Sequence, residues 1–451
     1  MKKLKYLVLI PTLLPVALAQ AADSGPNPDA VGADETSILY WSAKASAPDC
    51  SADFVESLRT PLDAFERHPD GTFVNREFKS VRCNLTLRPD DEIFYRLIVK
   101  GSAASGVTID CNGALINGWV GPNYNTEDRR STEMIEINSI ARQPEPSWDG
   151  EYDVPQYVTV KNCRIRGSIR IRGMGSNGEA AEVVRSSRRP GHLDRLRDNA
   201  PSHVVIENVD FTPKKRTPLY LTPGVHHVTV RDSTFSGNLN RSTMYMDVSS
   251  SHNLVVRNTF RARNQDTDYL VYRRTFPEIA VDGSHHNHIK NNLFTEHVKE
   301  EGGIWLYRNC GEGGGIRWTG PEYNVIEGND FYDLSSDFLN DDEPAIHIGS
   351  RDNGLTGFKP YCNDDEGVSG VNYAALSGMN PPHSAEDNGN YARYNRVLHN
   401  TFYGISSGDR VKIRDNGKNT ENIRVNNQGI QSYRNTLFAY PREGDTFGEA
   451  R

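Results

Sequence analysis

The segment Asn287-His288-Ile289-Lys290-Asn291-Asn292-Leu293-Phe294 decides the fold of this 451-residue chain. It has asparagine, a branched apolar residue two positions later, asparagine three positions further on, and phenylalanine two positions after that. The strict spacing recurs at Asn253-Val255-Asn258-Phe260, Asn324-Ile326-Asn329-Phe331 and Asn395-Val397-Asn400-Phe402, and looser copies lie at Val160–Ile165, Ile206–Phe211 and Val230–Phe235. Since self-similarity at a period of about 20 to 50 residues is typical of repeat architectures, the pattern predicts a solenoid.

Short alternating segments lie upstream of most copies of this repeat. They are Ile169-Arg170-Ile171, Leu219-Tyr220-Leu221, Ile279-Ala280-Val281, Ile304-Trp305-Leu306 and Ile346-His347-Ile348. A period of two indicates strands, with the branched residues on one side and the central residue on the other. The repeat length is too short for a strand-helix-strand unit of about 30 residues. We therefore predict an all-β, single-stranded, right-handed parallel β-helix whose repeated asparagines form an inward ladder at the turns.

The regions that flank the repeat predict the domain organisation. Residues 1–22 combine a lysine-rich start, an apolar run and small residues near Ala21, which is the layout of a secretory signal. Residues 23–104 are predicted to cap the first coil, and residues 105–432 to form the β-helix. A long loop is expected at residues 351–394, and a C-terminal tail at residues 433–451.

Charge and compartment narrow the classes of partner. The formal net charge is −8, and the predicted signal contains three lysines and no acid, so the mature chain is more acidic still. This balance disfavours nucleic acid and anionic membranes, whereas frequent arginines between Arg164 and Arg216 leave room for a locally basic groove. We expect a monomer, secreted to the periplasm or the extracellular space, whose partner is an acidic bacterial polysaccharide.

Six cysteines in an exported chain indicate disulfides rather than nucleophiles. No Cys-x-x-Cys or Cys/His cluster supports zinc. Among the possible pairings, we predict Cys50 with Cys83, Cys111 with Cys163 and Cys310 with Cys362.

Aligning the coils on the repeat places candidate site residues in columns on an exposed sheet. Ala280, Trp305 and His347 share one column, Asp282, Tyr307 and Gly349 the next, and Gly283, Arg308 and Ser350 lie at the strand edge, with Tyr245 and Asp247 one coil earlier. Trp305 is placed to stack on a sugar ring, because an outward tryptophan is costly unless something covers it. Tyr245, Asp247, Arg351 and Arg172 are the other predicted substrate-binding residues.

These residue types suit β-elimination on a uronic-acid polymer. Arg308 is placed to neutralise the carboxylate, and Tyr307 or His347 to act as the base, with a tyrosine pKa lowered by a neighbouring arginine. Asp282 is placed to orient the arginine or to hold a Ca²⁺ ion. No other cofactor is predicted.

Several consecutive coils resemble a known family. Glu278-Ile279, Gly283-Ser284, Asn287–Phe294, Gly303–Arg308 and Asn324–Phe331 look like coils of the pectate-lyase-like parallel β-helix polysaccharide lyases, in the alginate lyase and chondroitinase B group. The resemblance implies a polysaccharide lyase. The family's catalytic lysine position holds Gly283 here, and its arginine column holds Tyr307 with Arg308 beside it. The acidic chain with a signal also resembles the biofilm-matrix lyases that vibrios secrete, which implies an exopolysaccharide containing a modified uronic acid.

Other functions stay open at the level of sequence. A polygalacturonase-like hydrolase needs clustered carboxylates, for which Asp341 and Asp342 are candidates. A non-catalytic polysaccharide-binding matrix protein and a C5-epimerase are also compatible with the fold.

Overall fold

The computed structural model describes most of the predicted solenoid. The described residues are 47–59, 66–67, 73–74, 78–118, 133–142, 151–214, 216–237, 239, 241–261, 276–295, 303–308, 315–332, 344–349, 392–403, 413–415, 421–433 and 436–439. The predicted signal, nearly all of the predicted 351–394 loop, and the predicted Cys310–Cys362 pair lie outside these ranges.

The chain folds as an all-β, right-handed parallel β-helix built from three long sheets. Sheet 1 comprises β3 (Phe78–Ser80), β6 (Arg96–Lys100), β9 (Glu133–Asn138), β14 (Ser168–Arg172), β17 (Leu219–Leu221), β20 (Met244–Met246), β23 (Ile279–Asp282), β26 (Ile304–Tyr307), β29 (Ile346–Ile348) and β32 (Ile413–Asp415). Sheet 2 comprises β4 (Leu85–Thr86), β7 (Thr108–Asp110), β12 (Thr159–Lys161), β15 (Ser202–Glu207), β18 (His226–Arg231), β21 (Leu254–Val256), β24 (His288–Lys290), β27 (Val325–Glu327), β30 (Arg396–Leu398) and β33 (Ile423–Val425).

Sheet 3 completes each coil. It comprises β5 (Glu92–Ile93), β8 (Leu115–Asn117), β13 (Arg164–Arg166), β16 (Asp210–Phe211), β19 (Thr234–Phe235), β22 (Thr259–Phe260), β25 (Leu293–Phe294), β28 (Asp330–Phe331), β31 (Thr401–Tyr403), β34 (Gln428–Tyr433) and β35 (Thr436–Ala439). The β34–β35 pair is antiparallel. Two further antiparallel pairs lie outside the three sheets: β1 (Glu66–Arg67) with β2 (Phe73–Val74), and β10 (Ile140–Ala141) with β11 (Tyr152–Asp153).

The core lies along the axis of the solenoid, where equivalent positions of successive coils stack. The repeat phenylalanines form one continuous column, Phe211, Phe235, Phe260, Phe294, Phe331 and Phe402, with neighbouring ring centroids 4.5 to 5.2 Å apart. Branched and methionine side chains on the inner side of sheet 1 are fully buried in the same core, as alternation predicts. Each coil thereby buries the apolar face of the next.

The repeated asparagines form two inward ladders, which confirms the prediction. In one, Asn258, Asn292, Asn329, Asn400 and Asn427 each donate to the side-chain oxygen of the next at about 3.0 Å. In the other, Asn253, Asn287, Asn324, Asn395 and Asn422 do the same. The amides satisfy turn backbone that would otherwise be buried without partners.

The helices lie at the end and on the outside of the solenoid. Helix α1 (Ala52–Arg59) packs Phe54, Val55 and the buried Leu58 against the core, within the region predicted as a cap. Helices α2 (Ala181–Ser187) and α3 (His192–Asp198) follow β14, and a 3₁₀ turn spans Ser102–Ala104. Among the described residues, no helix is long and apolar enough to cross a membrane.

Two predicted boundaries differ from the structure. Strands β3, β4, β5 and β6 already belong to the three sheets, so the coils begin inside the predicted 23–104 cap. These strands lack the asparagine repeat, which is why the sequence pattern did not reveal them. At the other end, β35 lies within the predicted tail and pairs with β34.

Two of the three predicted disulfides are confirmed. Cys50 bonds to Cys83, and Cys111 bonds to Cys163 across 52 residues. Both lie in the first coils. They fit folding in an oxidising compartment.

Candidate functional site

The outer face of sheet 1 carries one side chain from each strand in a continuous column. The strand register aligns, in successive coils, Arg170, Tyr220, Tyr245, Ala280, Trp305, His347 and Arg414. This register confirms the predicted alignment of Ala280 with Trp305 and His347. It also places Asp282 beside Tyr307, as predicted.

The predicted exposure of this face is wrong for its middle coils. Trp305 and Tyr307 are each 5% exposed, and His347 and Arg308 are each 3% exposed. The indole of Trp305 stacks on the His347 ring, with centroids 5.3 Å apart and ring planes 7° apart. The protein itself therefore supplies the stacking partner that sequence reasoning assigned to a sugar.

Two segments outside the repeat, residues 173–199 and residues 315–319, contact sheet 1 where β20, β23 and β26 end, and we call them together the cover. Its two parts bind each other, since Trp318 Nε1 donates to the carbonyl of Ser187 at 2.7 Å. They also bind the sheet: the Gly178 amide donates to Asp247 at 2.9 Å, and Arg308 Nη1 donates to the carbonyl of Arg317 at 3.0 Å. Arg308 therefore anchors the cover instead of facing solvent as predicted.

Two tyrosine-aspartate pairs lie beside the cover. The Tyr220 hydroxyl donates to Asp247 Oδ2 at 2.8 Å, and the Tyr245 hydroxyl donates to Asp282 Oδ2 at 2.6 Å. Tyr307 extends the network by donating to the Tyr245 oxygen at 3.1 Å. The Tyr220 and Tyr245 rings stack, with centroids 4.9 Å apart, and both remain partly exposed. Tyr220 and Tyr245 are the partly exposed residues of this network, whereas Asp247, Asp282 and Tyr307 are buried.

Buried charge surrounds Arg317, whose guanidinium pairs with Glu179. Burial alone would lower the pKa of Arg317, but Asp247, Asp282 and Glu179 together raise it above its usual value. Burial also raises the pKa of Asp247, an effect that Arg317 opposes. Arg317 is thus a desolvated cation surrounded by several carboxylates.

The tyrosine and histidine pKa values bear on the predicted base. Burial raises the pKa of Tyr245 well above 10, and it does the same for Tyr220 although Arg170 lies 4.5 Å from the centre of that ring. Arg170 acts to lower the pKa of Tyr220, but desolvation and Asp247 outweigh it and the net shift is upward. Burial lowers the pKa of His347 to about 3, so this ring is neutral at physiological pH.

The N-terminal end of the same face carries a cluster of arginines. We define the arginine cluster as Arg96, Arg170, Arg172, Arg216 and Arg241. Glu133 bonds to Arg216 at 2.8 Å and to Arg170 at 3.1 Å, and Glu136 pairs with Arg96. Among the described residues, five guanidinium groups against two carboxylates leave a net positive patch on an acidic protein.

The arginine cluster borders a small cavity that also reaches Tyr220. The cavity has a volume of about 150 Å³ and is lined by Ser168, Ile169, Arg170, Arg216, Thr217, Tyr220 and Arg241. The predicted substrate contact Arg172 lies nearby, 3.7 Å from Glu133 and 3.9 Å from Glu136. These two contacts support a role for Arg172 in positioning the carboxylates of Glu133 and Glu136.

Some predicted residues lie elsewhere or outside the described structure. Arg351 and Ser350 are outside the described residues, as are Asp341 and Asp342. Asp282 uses one carboxylate oxygen to accept the Tyr245 hydroxyl. Within the described part of the chain, no group of three or more His, Cys, Asp or Glu side chains is arranged to hold a metal, and Ca²⁺ at Asp282 stays a prediction.

Sequence reasoning missed five residues of the site: Glu179, Arg216, Tyr220, Arg241 and Arg317. Tyr220 had a signal, because it is the central residue of an alternating segment and is aligned with Tyr245. For Arg216 and Arg241, the only signal in the sequence was the local density of arginines. Arg317 and Glu179 had none, since they are 138 residues apart in sequence.

Comparison with known proteins agrees with the architecture. Residues 148–313 match the family model described as the right-handed β-helix region. No curated protein matches the chain in sequence.

Several solved structures are similar in fold. An alginate lyase from Paenibacillus sp. is 9% identical, with a TM-score of 0.35, over 82% of this chain and 89% of that one. A tailspike mutant of E. coli bacteriophage HK620, in complex with a pentasaccharide, is 11% identical with a TM-score of 0.43, over 92% and 67%. The adhesin PfbA of Streptococcus pneumoniae is 11% identical with a TM-score of 0.32, over 76% and 79%. At these identities the likeness concerns the fold alone.

Proposed function

We propose that this protein is a secreted polysaccharide lyase that cleaves a uronic-acid-containing bacterial exopolysaccharide, of a biofilm or capsule matrix, by β-elimination. One observation carries the proposal: on the outer face of sheet 1 the arginine cluster adjoins Tyr220, whose ring stacks on Tyr245, so that the two tyrosine-aspartate pairs follow the arginines in successive coils. Arg170 connects the arginine cluster to the first tyrosine-aspartate pair. Its guanidinium lies 4.5 Å from the centre of the Tyr220 ring and 3.1 Å from Glu133. Cations that bind a sugar carboxylate thus adjoin groups that transfer protons.

β-Elimination requires three groups, and this face offers each of them. A cation must stabilise the charge that develops on the uronate, which suits the arginine cluster. A base must accept the C5 proton, and an acid must protonate the departing oxygen. We assign the base to Tyr245 with Asp282 and the acid to Tyr220.

The proton transfers in this assignment balance. The Tyr245 oxygen accepts the C5 proton while its own proton moves along the 2.6 Å hydrogen bond to Asp282. The C5–H electron pair forms the C4=C5 double bond, the C4–O bond breaks, and the departing oxygen takes the proton of Tyr220. Asp282 then returns its proton to Tyr245 along the same hydrogen bond, Tyr245 releases one proton to solvent, and Tyr220 takes one proton up from solvent. The raised pKa of both tyrosines keeps them protonated between turnovers.

Ultraviolet absorbance tests this proposal, because the new double bond absorbs and an intact polymer does not. Purified mature protein is incubated with polygalacturonate, alginate and hyaluronan, and with exopolysaccharide from its own bacterium. Absorbance should rise as polymer size falls. Tyr245→Phe, which keeps the stacked ring, should abolish the rise, whereas Tyr332→Phe, at an exposed tyrosine on sheet 3, should not. Binding without cleavage by the wild type would instead identify a non-catalytic matrix protein.

A polygalacturonase-like hydrolase is the second candidate. The observation that favours it is the position of Asp247 and Asp282, which directly follow Met246 and Val281, two residues paired on adjacent coils. Paired carboxylates are what glycoside hydrolysis requires. New reducing ends without ultraviolet absorbance would establish this reaction and reject elimination.

A further inference from the structure

Glu179 is the solvent-facing partner of a buried arginine. The side chain of Arg317 is 1% exposed and that of Glu179 is 29% exposed. The other two carboxylates near this guanidinium, Asp247 and Asp282, are 2% and 1% exposed. A charged group that approaches Arg317 from solvent therefore meets Glu179 first.

The backbone beside Glu179 is built around this ion pair. A Cβ atom at Gly178 would overlap the Arg317 guanidinium, so any larger residue there would displace the arginine from its present position. The Gly178 amide donates to Asp247 Oδ2, the same oxygen that accepts the Tyr220 hydroxyl. The Glu179–Arg317 pair is thus part of the same network as a tyrosine-aspartate pair.

The buried aspartates are already engaged by other donors. Asp247 accepts hydrogen bonds from Tyr220, Gly178 and Val248, and Asp282 accepts one from Tyr245. Glu179 forms an ion pair directly with Arg317. Arginine recognises carboxylates of side chains and of uronic acids with the same planar fork of donors.

We propose that Arg317 recognises a uronate carboxylate at the tyrosine-aspartate pairs, and that Glu179 occupies this position until the substrate carboxylate displaces it. The inference rests on the proposed function and adds a residue that determines specificity. Exchange of one carboxylate for another keeps the buried guanidinium paired, whereas a neutral sugar would leave it short of a partner. Glu179, once displaced, regains its hydration at the edge of the cover. The site thereby selects acidic sugars.

The first experiment replaces the internal carboxylate with an external one. Glu179→Ala should lower the Tm by about 3 °C, because a buried cation loses a partner. Addition of D-glucuronate should restore at least half of this loss, and D-glucose at equal concentration with matched salt should restore none. The wild type and the control Glu182→Ala, in the adjacent helix α2, should not respond to glucuronate. Absence of recovery, or equal recovery with glucose, would overturn the inference.

The second experiment measures affinity for polymers. Glu179→Gln removes the competing charge and should bind polygalacturonate about tenfold more tightly than the wild type. Glu179→Gln should bind carboxyl-reduced polygalacturonate with the same affinity as the wild type does. Glu182→Gln should bind polygalacturonate with the affinity of the wild type. An unchanged affinity for the acidic polymer, or an equal gain for the reduced one, contradicts the inference.

Together the two experiments separate failure of the inference from failure of the proposed function. If the wild type cleaves a uronate polymer but glucuronate does not rescue Glu179→Ala, the lyase stands and the role of Arg317 is wrong. If glucuronate rescues the variant but no uronate polymer is bound or cleaved, Arg317 is a carboxylate-binding residue and the proposed lyase is wrong.

Discussion

The hydroxyl of Tyr220 donates a 2.8 Å hydrogen bond to Asp247, which follows the neighbouring strand of sheet 1. The relation repeats one coil further on, where Tyr245 donates to Asp282 at 2.6 Å. Successive coils are therefore joined on the outer face by tyrosine-aspartate pairs, as they are joined inside by asparagine ladders. The difference is access to solvent, because the two tyrosines are partly exposed and the asparagines are buried.

Loss of Asp247 should cost far more stability than loss of the Tyr220 hydroxyl. Asp247→Ala leaves three donors without their acceptor, on Tyr220, Gly178 and Val248, and leaves Arg317 with less compensating charge. We expect a loss of about 3 kcal/mol in the free energy of unfolding, against about 1 kcal/mol for Tyr220→Phe. Urea denaturation of both variants measures this difference. Equal losses would show that the aspartate is not the centre of the network.

The arginine cluster should control affinity for acidic polymers. Arg216→Gln removes one guanidinium from the cavity and should raise the KM for a cleaved uronate polymer about tenfold, with a smaller effect in high salt. Arg257→Gln is the matched control, because Arg257 also pairs with a carboxylate, Asp232, at 2.8 Å but lies away from sheet 1. Initial rates at two salt concentrations measure the effect. A similar change in KM for both variants would indicate a general effect of charge.

A column of stacked rings runs along one turn of the solenoid. It comprises Tyr157, His203, His227, His252, His286, Tyr323 and Tyr394, and all seven have positive φ near 55 to 60°. Burial lowers the pKa of every histidine in this column, to about 3 for His227 and about 4 for His286. Close packing of the rings also makes each additional positive charge unfavourable.

This histidine column should make the protein less stable in acid. An unfolded histidine takes up a proton near pH 6.5, whereas folded His227 and His286 do so only near pH 3 to 4, so the unfolded state binds more protons between these values. Stability is therefore complete above about pH 6.5 and falls as pH is lowered, by up to about 1.4 kcal/mol per pH unit for each histidine. Thermal unfolding from pH 7.5 to 4 measures the slope. His227→Asn with His286→Asn should flatten it, since asparagine tolerates positive φ.

The inner asparagine ladders should tolerate no apolar substitution. Asn292 donates to Val255 and Asn329, and its side-chain oxygen accepts from both the backbone and the side chain of Asn258. Asn292→Ala leaves these groups buried without partners and should cost about 3 kcal/mol. Asn291→Gly is the control: its side chain is exposed and its φ is 54°, so its replacement should change stability by only a few tenths of a kcal/mol. Denaturant midpoints of both variants provide the comparison, and equal shifts would contradict the ladder's role.

The sequence predicted the fold because a solenoid repeats its contacts. Asn292 and Phe294 meet the same residue types in the coils before and after them, so the spacing of one coil specifies its neighbours. The same logic predicted the alignment of Trp305 with His347 and of Asp282 with Tyr307. It did not predict that β3 to β6 belong to the coils, because the first coils carry no asparagine repeat.

The exposure of those columns could not be predicted in the same way. The repeat predicts which residues are aligned on the outer face, but it does not predict which other residues contact them. The contacts of Asp247 and Arg308 come from two segments outside the repeat, which are joined by Trp318 with Ser187 and by Arg317 with Glu179.

The sequence by itself thus determined the coils, the inward ladders and the outward columns, because these depend on local alternation and on a fixed spacing. Only the tertiary structure decided which outward residues meet solvent, which cations face which acids, and which tyrosines keep their protons. Those properties depend on burial and charge brought together across more than a hundred residues of chain, as Glu179 and Arg317 are, with a separation of 138 residues.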